Sequence, residues 1–287
     1  MRIHAVLVTT GTASEFATLA ARAGRIRRDR RSGALSLGIE ALRISQDALE
    51  QAQRDPSPAA RTWLAAIGRG LARAQPAMAP VVGAGEELVR AARLDRTRSD
   101  FTRRRRAIAR RIRAWAAETG RLVRWGVVVF PPQATVVSIS DSSNVRALLE
   151  ALPRATRPRE VRVFRSRPGG EGVRAVRALR RAGLTAHVVD DGDLVGSLHD
   201  ADLVLLGADA LEPDGSLVHK WGTRPLAEAA HGAHVPVVVV AGQSKRAPRR
   251  LRWADGGRYD RTPARLIREV WTDAGRLTPA ELRRAPR

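Results

Sequence analysis

Apolar residues recur every three or four positions through the first ~120 residues, a helical period; beyond them they gather into short β-branched runs separated by helical stretches. The spacing predicts helices over 14–23, 32–54, 61–74 and 83–94, with Gly24 as the stop of the first and Pro56, Pro58, Pro76 and Pro80 as punctuation. Residues 100–122 read as one long helix with Ile108, Ile112 and Trp115 along its apolar seam. Only 5–8 is a strand candidate in this half, and Pro131 and Pro132 close it. Strands are then predicted at 134–139, 161–164, 186–189, 203–206 and 235–240, and helices at 145–152, 171–181, 194–199 and 225–230. Such βα alternation implies a parallel sheet covered on both faces, wound in two directions by right-handed crossovers. The fold class expected is α/β: a helical N-terminal domain, 1–124, followed by a Rossmann-like doubly wound parallel sheet, 125–287.

In such sheets ligands bind beyond the carboxyl ends of the strands. The first strand is followed by Ser140-Asp141-Ser142-Ser143-Asn144, which suits either helix N-capping or an anion held on helix N–H groups. The second is followed by Arg165-Ser166-Arg167-Pro168-Gly169-Gly170, where Arg167 offers a fork for a phosphate. The fourth opens onto Gly207-Ala208-Asp209, then the turn Pro213-Asp214-Gly215, then Lys220 and a helix start at Gly222-Thr223. An aspartate at a strand end beside a glycine is well placed for acid–base chemistry. The fifth is followed by Gln243-Ser244-Lys245.

Composition sharpens this picture. The net charge is +22 over 287 residues, but of 51 basic residues only Lys220 and Lys245 are lysines. Arginine serves as the general solubilising cation, so the charge by itself does not make the chain a nucleic-acid binder; the arginine run 103–113 is the stretch that would carry that less favoured function. Ammonium and guanidinium are not equivalent, and both lysines fall in the strand-end segments. No cysteine is present, which excludes disulfides and thiolate chemistry. His231 and His234 have metal-compatible spacing but no evident third ligand, so neither metal nor cofactor is expected. No run is long and apolar enough for a membrane helix and no secretory leader is evident, so a cytoplasmic protein is expected.

The stretch GADALEPDGSLVHKWGTRPLAEAA, 207–230, resembles the GAD…NG…NKIGT…LA..A signature of the family that unites the translation initiation factor 2B alpha, beta and delta subunits with methylthioribose-1-phosphate isomerase and ribose-1,5-bisphosphate isomerase. SISDSSNV, FRSRPGGEGVRAVRAL and RTPARLIREVWTDAGRLTPAEL resemble its other C-terminal motifs in the same order; RRSGALSLGIEAL and QPAMAPVVG resemble its N-terminal ones more loosely. The resemblance implies a helical domain, a Rossmann-like domain, a ligand cleft between them, and a homodimer or higher homo-oligomer. Its isomerase branch converts an aldose 1-phosphate to a ketose with a Cys and an Asp as acid–base pair. Asp209 stands at the Asp position, Lys220 at the Lys of NKIGT, where it would stabilise an oxyanion, and Arg167 at the Arg of the R-P segment.

Four positions depart from that pattern. Ser142 replaces the Cys, His219 the Asn of NKIGT and Gln75 a phosphate-binding Arg, while Arg31 stands one residue early for another. A hydroxyl is a far weaker acid than a thiol. The expected function is therefore binding of a phosphorylated sugar or nucleotide, with non-canonical aldose–ketose isomerisation or non-catalytic assembly and regulation as alternatives. Asp209, Ser142 and Lys220 are the candidate catalytic residues. Arg31, Ser143, Asn144, Arg167, Gly207, His219 and Lys245 are the candidate ligand-binding residues.

Overall fold

The computed structural model describes residues 10–253 and 258–284; the strand expected at 5–8 lies outside them. The chain divides into two compact units, Met1–Ala116 and Ala117–Arg287.

The described part of the first unit is helical: α1 (Thr10–Arg28), α2 (Ala34–Arg54), α3 (Pro58–Ala74), α4 (Ala79–Leu94) and α5 (Arg98–Ala116). Gly24 does not stop α1. The helix runs one turn further because Ile26 continues the buried seam of Phe16, Leu19 and Ala23. Ser57 caps α3, its hydroxyl accepting from the Ala60 N–H at 3.2 Å, and Pro58 follows in the first turn. Pro80 also lies in a first turn, where a missing N–H costs nothing, so α4 begins earlier than the sequence suggested. Leu42, Leu49, Leu64, Leu71, Leu88, Phe101 and Ile108 form the centre of the unit.

The second unit opens with α6 (Glu118–Val129), so the helix expected over 100–122 is two helices. The interruption falls at Ala117, just before Glu118, whose buried carboxylate is held by Ser244. The remaining elements are β1 (Thr135–Ile139), α7 (Ser143–Ala151), β2 (Glu160–Phe164), α8 (Glu171–Arg181), β3 (Ala186–Val189), α9 (Leu194–Leu198), β4 (Leu203–Leu206), β5 (Ala210–Leu211), β6 (Leu217–Lys220), α10 (Thr223–Gly232), β7 (Val237–Val240), β8 (Tyr259–Thr262), β9 (Glu269–Thr272), β10 (Gly275–Leu277) and α11 (Pro279–Arg284). β7 starts at Val237 rather than at 235.

The seven-stranded sheet has the order β10-β9-β7-β4-β1-β2-β3, parallel except for the edge hairpin of β9 and β10. From β1 the chain winds outward through β2 and β3. It returns to β4 beside β1 and winds the other way through β7 and β9. This is the doubly wound arrangement, and its switch point lies between β1 and β4. Alternation along each strand divides the core: Val136, Val161, Leu203 and Val238 face one layer with Leu148 and Leu179, while Val137, Val204, Leu206 and Val239 face the other with Leu226 and Ala230. A second sheet, β5-β6-β8, is antiparallel and was not foreseen beyond its turn at 213–215. Its two- and four-residue strands are too short to show a period.

Candidate functional site

Ser142 follows β1 and Asp209 follows β4, so both sit at the carboxyl ends of the two strands that flank the switch point. Ser142 caps α7, its Oγ accepting from the Val145 N–H at 3.4 Å. Gly207 sets how closely this loop approaches β4. A Cβ there would lie 2.2 Å from Ser142 Oγ and 3.4 Å from His219 Cε1, so only glycine lets the serine and the imidazole border that strand end together. The β5–β6 hairpin then delivers His219. The Asp209 N–H donates to Val218 O at 2.9 Å and Ala210 pairs with Val218, which brings the next residue, His219, against the aspartate. His219 Nδ1 lies 3.1 Å from Asp209 Oδ2. His219 Nε2 is buried and meets no partner among the described residues.

Charge is arranged tightly around this pair. Burial alone would raise the Asp209 pKa, but the His219 hydrogen bond and the neighbouring basic groups His219, Lys245 and Lys220 outweigh it and hold the carboxyl below its ordinary value. Lys245, in the single turn Gln243–Lys245, is only 5% exposed and forms no side-chain hydrogen bond or ion pair among the described residues. Burial pulls its pKa down, with Asp209 and Glu118 pulling the other way. Burial pushes the Glu118 carboxyl up, against hydrogen bonds from the Ser244 N–H and hydroxyl, both at 2.7 Å. Gly242 makes room for that carboxylate, since a Cβ there would overlap Glu118 Cδ. Lys220 is already paired: its Nζ donates to Glu171 Oε1 at 2.5 Å, in the first turn of α8.

The structure thus gathers Ser142, Gly207, Asp209 and His219, with Lys220 and Lys245 close enough to bias the aspartate. No hydrogen bond or ion pair among the described residues links Ser143, Asn144 or Arg167 to Asp209 or His219. Asn144 is buried and its Oδ1 accepts from Thr119 Oγ1 at 3.1 Å, tying α7 to α6. Ser143 is exposed at the start of α7. The Arg167 guanidinium is exposed and donates to Asp190 at 2.7 Å, while the Ser166 and Arg167 N–H groups donate to Asp191. Arg31 lies in the first unit, exposed in the turn after α1. Gln75, at the departure from the arginine pattern, is buried, and its Nε2 donates to the Ile26 and Asp29 carbonyls at 2.9 Å each, closing the end of α1.

Glu118, Glu171 and Ser244 were not singled out from the sequence. Glu118 ends an arginine-rich stretch and reads as its counter-ion, and Glu171 reads as an ordinary first-turn acid. Four arginines of α5 are occupied within their own unit: Arg103 with Asp100, Arg104 with Asp95, Arg105 with Glu50 and Arg111 with Glu87. Among the described residues no helix is long and apolar enough to cross a membrane.

The sequence profile of the Initiation factor 2 subunit family matches residues 30–255. A ribose 1,5-bisphosphate isomerase of Archaeoglobus fulgidus is 32% identical over 117 residues, which is 41% of this chain and only 37% of that protein. A methylthioribose-1-phosphate isomerase of Gemmatimonas aurantiaca is 29% identical over 280 residues, 86% of this chain and 81% of that one. Among solved structures, the translation initiation factor eIF-2B of Pyrococcus horikoshii OT3 superposes with a TM-score of 0.74 at 22% identity, covering 91% of this chain and 97% of the other, which establishes likeness of fold.

Proposed function

The chain belongs to the Initiation factor 2 subunit family, and we propose that it binds a phosphorylated sugar at the carboxyl ends of β1 and β4 and interconverts its aldose and ketose forms without a thiol. The observation that carries this reading is Lys245, a buried lysine with no side-chain hydrogen bond or ion pair among the described residues, within electrostatic reach of Asp209 at the switch point. Buried charge is costly unless paired, and a phosphate or a developing oxyanion supplies what Lys245 lacks. Asp209 anchors the proton chemistry. Ser142 donates or accepts a hydrogen bond rather than ionising, because a capping hydroxyl near neutral pH stays protonated.

Two relatives are named for the substrates to try. Ribose 1,5-bisphosphate and methylthioribose 1-phosphate are incubated with the full chain and ketose formation is followed. Conversion of one of them is expected, with Asp209→Asn lowering kcat by ~100-fold or more in a chain that still unfolds cooperatively. No conversion of either by the wild-type chain refutes the isomerase reading.

A second reading is a non-catalytic binding and assembly subunit. It is favoured by Ser142 being engaged as a helix cap and by Lys220 being neutralised by Glu171. It predicts stabilisation without conversion, about 2.7 kcal/mol at 100-fold excess of sugar phosphate over Kd. Both readings take the protein to be cytoplasmic and a homodimer or higher homo-oligomer, which sedimentation equilibrium measures.

A further inference from the structure

His219 has one ring nitrogen committed and one idle. Nδ1 faces Asp209 Oδ2 at 3.1 Å, and against an ionised carboxylate only the Nδ1–H tautomer makes a hydrogen bond. That leaves Nε2 as a bare lone pair, buried and unmet by any described residue. Buried polar atoms in folded proteins are satisfied with few exceptions, and an exception marks a group kept for a ligand, a water or a chemical step. Gly207 fixes what lies beside the ring: a Cβ there would overlap Ser142 Oγ and lie 3.4 Å from His219 Cε1, the carbon between the two ring nitrogens. The serine hydroxyl and the imidazole edge therefore flank the same end of β4, without a hydrogen bond between them.

We infer that His219, through Nε2, is the proton-carrying catalytic residue of this site and that Asp209 acts through it as a positioning residue. The inference rests on the aldose–ketose reading above and changes which side chain does the chemistry. A carboxylate held below its ordinary value is a poor proton donor, whereas a histidine beside it accepts a proton and returns it. The proton balance closes on a ring-form aldose 1-phosphate. Neutral His219 takes the proton of the 2-hydroxyl as the C2=O double bond forms. The C2 hydrogen passes with its electron pair to C1, the bond from C1 to the ring oxygen breaks, and the ring oxygen takes the proton back from the imidazolium. No oxidant or reductant is needed. Through the step Asp209 stabilises the imidazolium.

Two measurements on the full-length chain test this. Long-range proton–nitrogen NMR of the imidazoles reads the tautomer in the wild-type protein, with His219 assigned among six histidines by the signal missing from H219N or H219Q. A protonated Nδ1 and a bare Nε2 are expected under the conditions of the kinetic assay; a protonated Nε2, whether Nδ1 is bare or protonated, overturns the assignment, since it has no lone pair to take the proton. Kinetics with ribose 1,5-bisphosphate and methylthioribose 1-phosphate form the second arm. H219N is expected to lower kcat by on the order of 100- to 1000-fold while KM moves less than about threefold. Adding S142C to H219N is expected to recover roughly tenfold or more, because a thiol is acidic enough to carry the proton itself. An unchanged kcat in H219N overturns the role of His219 and leaves the isomerase reading standing. Failure of the wild-type chain to convert either sugar overturns that reading, and the catalytic role of His219 with it, whatever the tautomer.

Discussion

At the residue scale the site depends on an absence: the missing side chain of Gly207. A methyl group there would fall 2.2 Å from Ser142 Oγ. Gly207→Ala is therefore expected to push the α7 cap away from β4, destabilising the chain by about 1–3 kcal/mol as overpacking does. Urea unfolding measures the loss, and a stability equal to wild type would show that the loop yields freely. Glu118 gives a second residue-scale prediction, with a definite sign. Its folded pKa lies above the ordinary value of 4.5, so the folded chain holds that proton more tightly than the unfolded one. Its stabilising effect is complete below the ordinary value and is lost as pH rises through the folded value. The stability of the wild type relative to Glu118→Gln should then fall as pH rises, at no more than about 1.4 kcal/mol per pH unit. A difference that stays flat between about pH 4 and pH 8 contradicts the shift.

At the scale of elements, α5 shows how an arginine-rich helix is held. Arg104 meets Asp95 with two hydrogen bonds, 2.6 and 3.1 Å, and Asp95 is 3% exposed. Arg104→Gln strands that carboxylate and should cost on the order of 2–4 kcal/mol in chemical denaturation. Arg106, exposed two positions on, should tolerate the same change within ~0.5 kcal/mol. Equal costs would mean that the pair is not what secures the helix. Element identity was largely legible, since apolar spacing reports local burial: β3 and β4 fall at 186–189 and 203–206 as expected. Ends were less legible. Gly24 is a weak stop when Ile26 has a core to enter, and nothing local at Ala117 announces a break that is fixed by Glu118 and Ser244, far apart in sequence.

At the scale of the whole molecule, the charge of +22 is the dominant bulk property. Four of the arginines in 103–113 are consumed by ion pairs within their unit, while Arg106, Arg110 and Arg113 are exposed without one among the described residues. Replacing those three by glutamine should change affinity for an RNA oligonucleotide at physiological salt by less than about threefold, because diffuse charge rather than a built surface supplies the attraction. Fluorescence anisotropy reads this, and a loss of tenfold or more would establish the helix as a nucleic-acid site.

The sequence by itself determined the order of most helices and of the five parallel strands through β7, and the strand ends at which to look. The placement of both lysines in those segments was legible too, because each is a local property or a count. Only the tertiary structure decided which side chains meet. Lys220, expected to face a ligand as a free cation, is paired with Glu171, and Asn144 is taken up by Thr119. His219 turns to Asp209 with its other nitrogen left unmet. These outcomes depend on sheet register, on a two-residue strand and on the space left by one glycine. Such long-range distances are set by packing, and no periodicity along the chain encodes them.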